Sequence, residues 1–195
     1  MGKREQSPRV TEQERTRQAD YVECVRALPH RPQSYCIVTY GCQMNAHDSE
    51  QLAGMLAQMG MAEAEKERAD LVLFNTCCIR DNAQRRALGN IQWLQQRKKA
   101  EPGLIVGVCG CMIQQKDMAD RVIKELPGVD LAFGTHNLYR LPEYLYRVLD
   151  SRERVAEVWD VDGEVVEDLP VKRVSPIKAY VNVMYGCNNF CTYCI

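Results

Sequence analysis

The 195-residue sequence has almost no charge imbalance, since 25 Lys and Arg against 26 Asp and Glu leave a formal charge of -1. Proteins that hold nucleic acid by neutralising phosphates usually carry a basic excess, so composition lends RNA binding no support, although it does not exclude it. Long apolar runs are missing as well. The longest mostly apolar stretch, Leu104 to Ile113, falls far short of the roughly 18 residues a membrane span needs. The amino terminus, Met1-Gly2-Lys3-Arg4-Glu5-Gln6-Ser7-Pro8, has no apolar segment of the kind that exports a chain to an oxidising compartment. A soluble cytoplasmic protein with no membrane partner is therefore expected, its ten cysteines reduced instead of paired in a disulfide scaffold. Histidine is scarce. His30 is expected on the surface and His47 and His136 on loops, with only His136, after Gly134-Thr135, placed to approach a strand end. Paired C-x-x-C knuckles of the kind that close four ligands on zinc are also absent.

What is present is the alternation of short apolar runs with helix-period segments, the pattern of an α/β domain with a parallel sheet. Four strands are expected: Tyr35 to Tyr40, Leu71 to Asn75, Leu104 to Val108 and Leu131 to Phe133. Between them, Leu52, Met55, Leu56 and Met59 form one helical stripe, with Asp48 or Ser49 able to cap it and Gly60 to end it. Further stripes run through Ala83, Ala87, Ile91 and Leu94, through Ala119, Val122, Ile123 and Leu126, and through Leu141, Tyr144, Leu145 and Val148. Residues 1–32 are polar and read as a tail with a short helix near Tyr21 to Leu28, 33–150 as the main domain, and 151–176, rich in Glu, Asp and Pro, as a connector. Lys178 to Tyr185 alternates apolar and polar residues, which predicts a new strand at the start of a second domain, 177–195.

That strand leads into Cys187, Cys191 and Cys194, spaced C-x-x-x-C-x-x-C. Three thiolates so placed can hold three corners of a cuboidal iron-sulfur cluster and leave one iron open, so that it can chelate the amine and carboxylate of S-adenosylmethionine (SAM). Because the sequence stops at Ile195, one residue past the last of these, it reads as the front part of a longer enzyme. A second triplet is dispersed. Cys42, Cys77 (or its neighbour Cys78) and Cys111 each follow an expected strand, and ligands of open parallel sheets gather at strand carboxyl ends. A glycine precedes three of the candidate ligands, in Gly41-Cys42, Gly110-Cys111 and Gly186-Cys187. Spacing alone does not choose between Cys77 and Cys78, nor between Cys109 and Cys111. Cys24 and Cys36 read as small buried hydrophobes.

These blocks carry a resemblance. Thr39-Tyr40-Gly41-Cys42-Gln43-Met44-Asn45 with Asp48-Ser49-Glu50, Asn75-Thr76-Cys77-Cys78-Ile79-Arg80, Gly110-Cys111-Met112, Phe133-Gly134-Thr135-His136-Asn137 and the final cysteine loop together resemble the methylthiotransferase family of radical SAM enzymes, from about Ser34 to Ile195. The Gln43-Met44-Asn45 wording and the Ile79-Arg80 continuation look like its tRNA isopentenyladenosine branch. The resemblance implies an open parallel-sheet, three-layer N-terminal domain followed by the first strand and cluster loop of a radical SAM barrel. It implies two 4Fe-4S clusters, one on Cys42, Cys77 and Cys111 and one on Cys187, Cys191 and Cys194, with Tyr193 against the adenine of SAM. The implied reaction adds a methylthio group to carbon 2 of isopentenyladenosine beside the anticodon, on the anticodon stem-loop of tRNA. An electron donor such as flavodoxin or ferredoxin would serve a monomeric enzyme, and no acid or base residue is nominated as catalytic. An iron-sulfur redox or cluster-holding module, or a methylthiotransferase acting on another tRNA base or a ribosomal protein, is the alternative.

Overall fold

The computed structural model describes residues 10–78, 81–115, 117–159, 166, 169–181 and 192, and only the backbone of residues 81–84. Its strands are β1 (Ser34–Tyr40), β2 (Ala62–Glu63), β3 (Leu71–Thr76), β4 (Ile105–Cys109), β5 (Leu131–Phe133) and β6 (Val155–Glu157). They make one open sheet, every pair parallel, in the order β2-β1-β3-β4-β5-β6. The helices are α1 (Glu12–Ala27), α2 (Gln43–Gln58), α3 (Asp81–Ala100), α4 (Met118–Glu125) and α5 (Leu141–Ser151).

All six residues of β3 are buried, and strand alternation sends them into two different cores. Leu71 and Leu73 meet Leu52, Met55 and Leu56 of α2 and Tyr144 and Leu145 of α5 on one face. Val72 and Phe74 meet Ile91 and Leu94 of α3 and Val122 of α4 on the other. Helices thus cover both faces, which is why the strand residues form near-continuous apolar runs. All four expected strands are present, with ends shifted by no more than one residue.

Two short strands were not expected. β2 has only two residues, too few for any pattern. β6 lies within the stretch read as a connector, where charge hides it. Val155 is 1% exposed, and the acidic residue that ends the strand, Glu157, pairs with Arg140 and Arg147. Before it, the Arg154 guanidinium donates to the carbonyls of Ile123, Val129 and Leu126.

The polar leading segment also differs from expectation. α1 starts at Glu12, capped by Thr11, whose hydroxyl accepts the Glu14 N–H at 3.2 Å. It docks on α5 mainly through polar bonds that hydropathy cannot show: Gln18 donates to the buried Glu143 at 3.0 Å and Arg17 reaches the same carboxylate at 3.3 Å. Val25 is its one fully buried apolar anchor, while Cys24, expected to be buried, is exposed. Val25→Ala is expected to lower unfolding free energy by about 1–2 kcal/mol in urea titration. A change below about 0.3 kcal/mol would mean that α1 does not pack as described.

The connectivity positions a site. From β1 the chain moves outward to β2, then crosses back to β3 and continues the other way through β4, β5 and β6. The helix after β1 lies on one face and the helix after β3 on the other. Such a doubly wound sheet, with the order 2-1-3-4-5 extended by a sixth strand, opens a crevice at the carboxyl ends of β1 and β3.

Candidate metal centre

Cys42 follows β1, Cys77 and Cys78 follow β3, and Cys111 follows β4 after Gly110. These are three neighbouring strands with β3 in the middle, so Cys42 and Cys77 flank the crevice and Cys111 stands on its far side. Backbone pairing sets the level: Tyr40 lies opposite Thr76 and Asn75 opposite Cys109.

Helix α2 begins well before the expected cap at Asp48 or Ser49, and its N-cap is Cys42 itself. Asn45 folds back so that its Oδ1 accepts from the Cys42 N–H at 3.1 Å and from the Cys42 thiol at 3.5 Å. Its amide nitrogen donates to Asn75 Oδ1 at 3.0 Å and to the Thr76 carbonyl at 3.3 Å. Asn75 in turn donates to the Asn45 carbonyl and to Ser49, whose hydroxyl meets Thr39. Asn45 and Asn75 are 2% and 0% exposed. The first turns of α2 were therefore illegible as helix, because their buried residues are polar and bond to strand ends. His47, expected on a loop, is likewise a buried α2 residue. A polar Asn75 closing an otherwise apolar strand was the sequence signal for this network. Truncation by Asn75→Ala strands two buried partners, so a loss of about 1–3 kcal/mol is expected in chemical unfolding.

Cys77 is 1% exposed. A Cβ built on Gly41 would lie 2.9 Å from the Cβ of Cys77 and 2.1 Å from Asn45 Oδ1, so only glycine fits between the first two thiols. Cys111 is half-buried, and its sulfur accepts the Cys78 N–H at 3.2 Å. Burial pushes its thiol up to about 12, with the Cys78 and Cys77 thiols adding to the rise and the Cys78 N–H opposing it. Cys109 ends β4 inside the core shared with α2 and α5, fully buried, its thiol raised first by burial and then by nearby Asp48. The two cysteines that spacing left undivided thus have different surroundings: Cys109 packs with apolar side chains, and Cys111 sits beyond the strand against N–H and thiol groups.

Asp48 is 7% exposed, and burial alone pushes its carboxyl up to about 7. Between the ordinary carboxylate range near 3.8 and about 7, the folded chain binds a proton that the unfolded chain has released. Stability therefore falls as pH rises through that window and stays reduced above it. Asp48→Asn is expected to remove this slope and to exceed the parent in stability at pH 8 by on the order of 2–4 kcal/mol, with the two converging near pH 4. Parallel urea titrations at several pH values measure the difference. Equal slopes would contradict it.

All seven described cysteines are thiols. Among the described residues no three His, Cys, Asp or Glu side chains gather tightly enough to close on a single metal ion. A cuboidal cluster makes a different demand, since each thiolate binds a separate corner and the three need only face one cavity. Toward that demand the chain offers thiol donors at three adjacent strand ends beside a crevice at a chain-reversal point. Cys187, Cys191, Cys194 and Tyr193 lie outside the described residues, as does the second half, 182–185, of the strand expected before them. Residues 178–181 make no strand.

The fold and these thiols define an open, doubly wound α/β domain with a thiol-bearing strand-end crevice. Residues 34–134 match the uncharacterized protein family UPF0004, and the chain belongs to that family. It is 47% identical over 194 residues to the tRNA-2-methylthio-N(6)-dimethylallyladenosine synthase of Acetivibrio thermocellus, covering 95% of this chain and 40% of that protein. Synthases of the same name from Clostridium perfringens (53% over 162 residues, covering 83% and 36%) and Clostridium tetani (50% over 175 residues, covering 89% and 39%) are similarly related. The chain therefore spans 36–40% of the length of these relatives.

Proposed function

We propose that the chain forms the N-terminal, cluster-binding part of a tRNA methylthiotransferase that modifies isopentenyladenosine beside the anticodon. The observation that carries this reading is the arrival of Cys42, Cys77 and Cys111, separated by more than thirty residues each, at the ends of three adjacent strands. The synthase name shared by relatives along nearly the whole chain supports the substrate.

In this reading Cys42, Cys77 and Cys111 hold an auxiliary 4Fe-4S cluster, and Cys187, Cys191 and Cys194 hold a second that binds SAM, with Tyr193 against its adenine. When bound, these groups supply sulfur transfer and the radical needed to break an aromatic C–H bond that has no acidic proton. This chain's own residues position and shield. Asn45 fixes the Cys42 turn through its backbone N–H. The N–H of Cys78 donates to the Cys111 sulfur, which favours the thiolate form a metal requires. Helix α2 begins at Cys42, so its N-terminal dipole favours negative charge beside that thiol. Gly41 and Gly110 let the segments that carry Cys42 and Cys111 pack closely against Asn45, Cys77, Asn75 and Thr76. The reductant is a flavodoxin or ferredoxin, and the working enzyme is a cytoplasmic monomer.

The test joins this chain to the C-terminal portion of the Acetivibrio thermocellus relative and expresses the product in cells lacking their own methylthio activity. Nucleoside mass spectrometry of tRNA is expected to find methylthio-isopentenyladenosine, and to find only isopentenyladenosine when the joined protein carries Cys42→Ala. Modification that survives Cys42→Ala, or none with the parent, would overturn the proposal.

A further inference from the structure

Cys78 belongs to neither triplet, yet it lies against one of the ligands. Its backbone N–H reaches the Cys111 sulfur at 3.2 Å, which brings the two cysteines side by side. Cys78 is half-buried, whereas its neighbour Cys77 is 1% exposed and turned toward Gly41. A small oxidant entering the crevice thus has access to Cys78 and to the Cys111 sulfur beside it, but not to Cys77.

We propose that Cys78 and Cys111 are a peroxide-reactive thiol pair that closes to a disulfide in the cluster-free chain and withdraws Cys111 from the ligand set. The sulfur of Cys78 attacks one oxygen of a hydroperoxide; the O–O bond breaks, an alcohol (or water, from hydrogen peroxide) leaves with one proton, and Cys78 becomes a sulfenic acid. The sulfur of Cys111 then attacks that of Cys78, the S–O bond breaks, and water leaves with the Cys111 proton. Two thiols have lost two electrons and two protons, and the peroxide has been reduced. Closure protects both sulfurs from irreversible sulfinic and sulfonic acids, and a dithiol reductant reopens the pair by exchange. The consequence for cluster loading rests on the function proposed above; the pairing itself does not.

The test uses the full 195-residue chain, stripped of iron with a chelator, treated with hydrogen peroxide, alkylated under denaturing conditions and digested. Fragmentation between residues 77 and 78 assigns the cross-link. The expected result is Cys78–Cys111 as the most abundant disulfide, its loss in Cys78→Ser, and loss of most iron and sulfide uptake in the oxidised parent until dithiothreitol is added. Unoxidised Cys78→Ser is expected to take up as much iron as the parent. A dominant Cys77–Cys111 or Cys42 cross-link, or Cys78 accumulating as sulfinic acid with no disulfide, would overturn the pair. A parent that never takes up iron, even when reduced, would instead count against the cluster, while the mapped disulfide still decides the pairing.

Discussion

Anaerobic reconstitution with iron and sulfide is expected to load the parent chain at its N-terminal site, and Cys42→Ala, Cys77→Ala and Cys111→Ala are each expected to cut that uptake by about tenfold or more. Cys78→Ala and Cys109→Ala should keep it, because Cys109 packs in the apolar core and Cys78 contributes its backbone N–H whatever its side chain. On the function proposed above, Cys187→Ala should remove less metal than Cys42→Ala in a chain that spans 36–40% of the length of its relatives. The comparison is discriminating because three variants from distant segments must fail together while two immediate neighbours succeed. Equal loss in Cys42→Ala and Cys187→Ala, or a Cys78→Ala chain as empty as Cys111→Ala, would break the assignment.

The second large effect falls on a residue that binds nothing. Gly110 has φ +94°, and a Cβ there would lie 2.4 Å from Asn75 Oδ1, 2.5 Å from the Thr76 carbonyl oxygen and 2.8 Å from the Thr76 nitrogen. Two of those three atoms are backbone and cannot rotate away. Gly110→Ala therefore adds conformational strain to overpacking, and a loss of about 2–5 kcal/mol in urea unfolding is expected. The same change should displace Cys111 from the Cys78 N–H and reduce iron uptake in whatever fraction folds. A variant as stable as the parent would mean that the turn between β4 and Cys111 is not as described.

The centre of the sheet was legible because β3, β4 and β5 are buried throughout and so are nearly all apolar; Leu71 to Phe74 needs no further signal. The helical stripes at Ile91 and Leu94 or Tyr144 and Leu145 were legible for the complementary reason, that one face alone meets the sheet. What stayed hidden is what polar bonds hold in place. The first turns of α2 carry Asn45, His47, Asp48 and Glu50, which hydropathy reads as surface and the fold buries. α1 is fastened by Gln18 and Arg17 on Glu143, and β6 by arginine pairs on Glu157. At the candidate site, strand-end position marked Cys42, the Cys77-Cys78 pair and Cys111, the resemblance alone selected Cys77, and the glycines before Cys42 and Cys111 proved to be steric requirements. Between Cys109 and Cys111 the resemblance chose Cys111, and the contacts add that Cys109 ends β4 within the apolar core while Cys111 lies beyond it.

The most direct measurement is anomalous diffraction at the iron edge from crystals of the anaerobically reconstituted chain. Iron density bonded to the sulfurs of Cys42, Cys77 and Cys111 together, in the crevice between β1, β3 and β4, is the predicted result. Density that leaves any one of these sulfurs unbound, or a signal at the zinc edge in its place, would contradict the account.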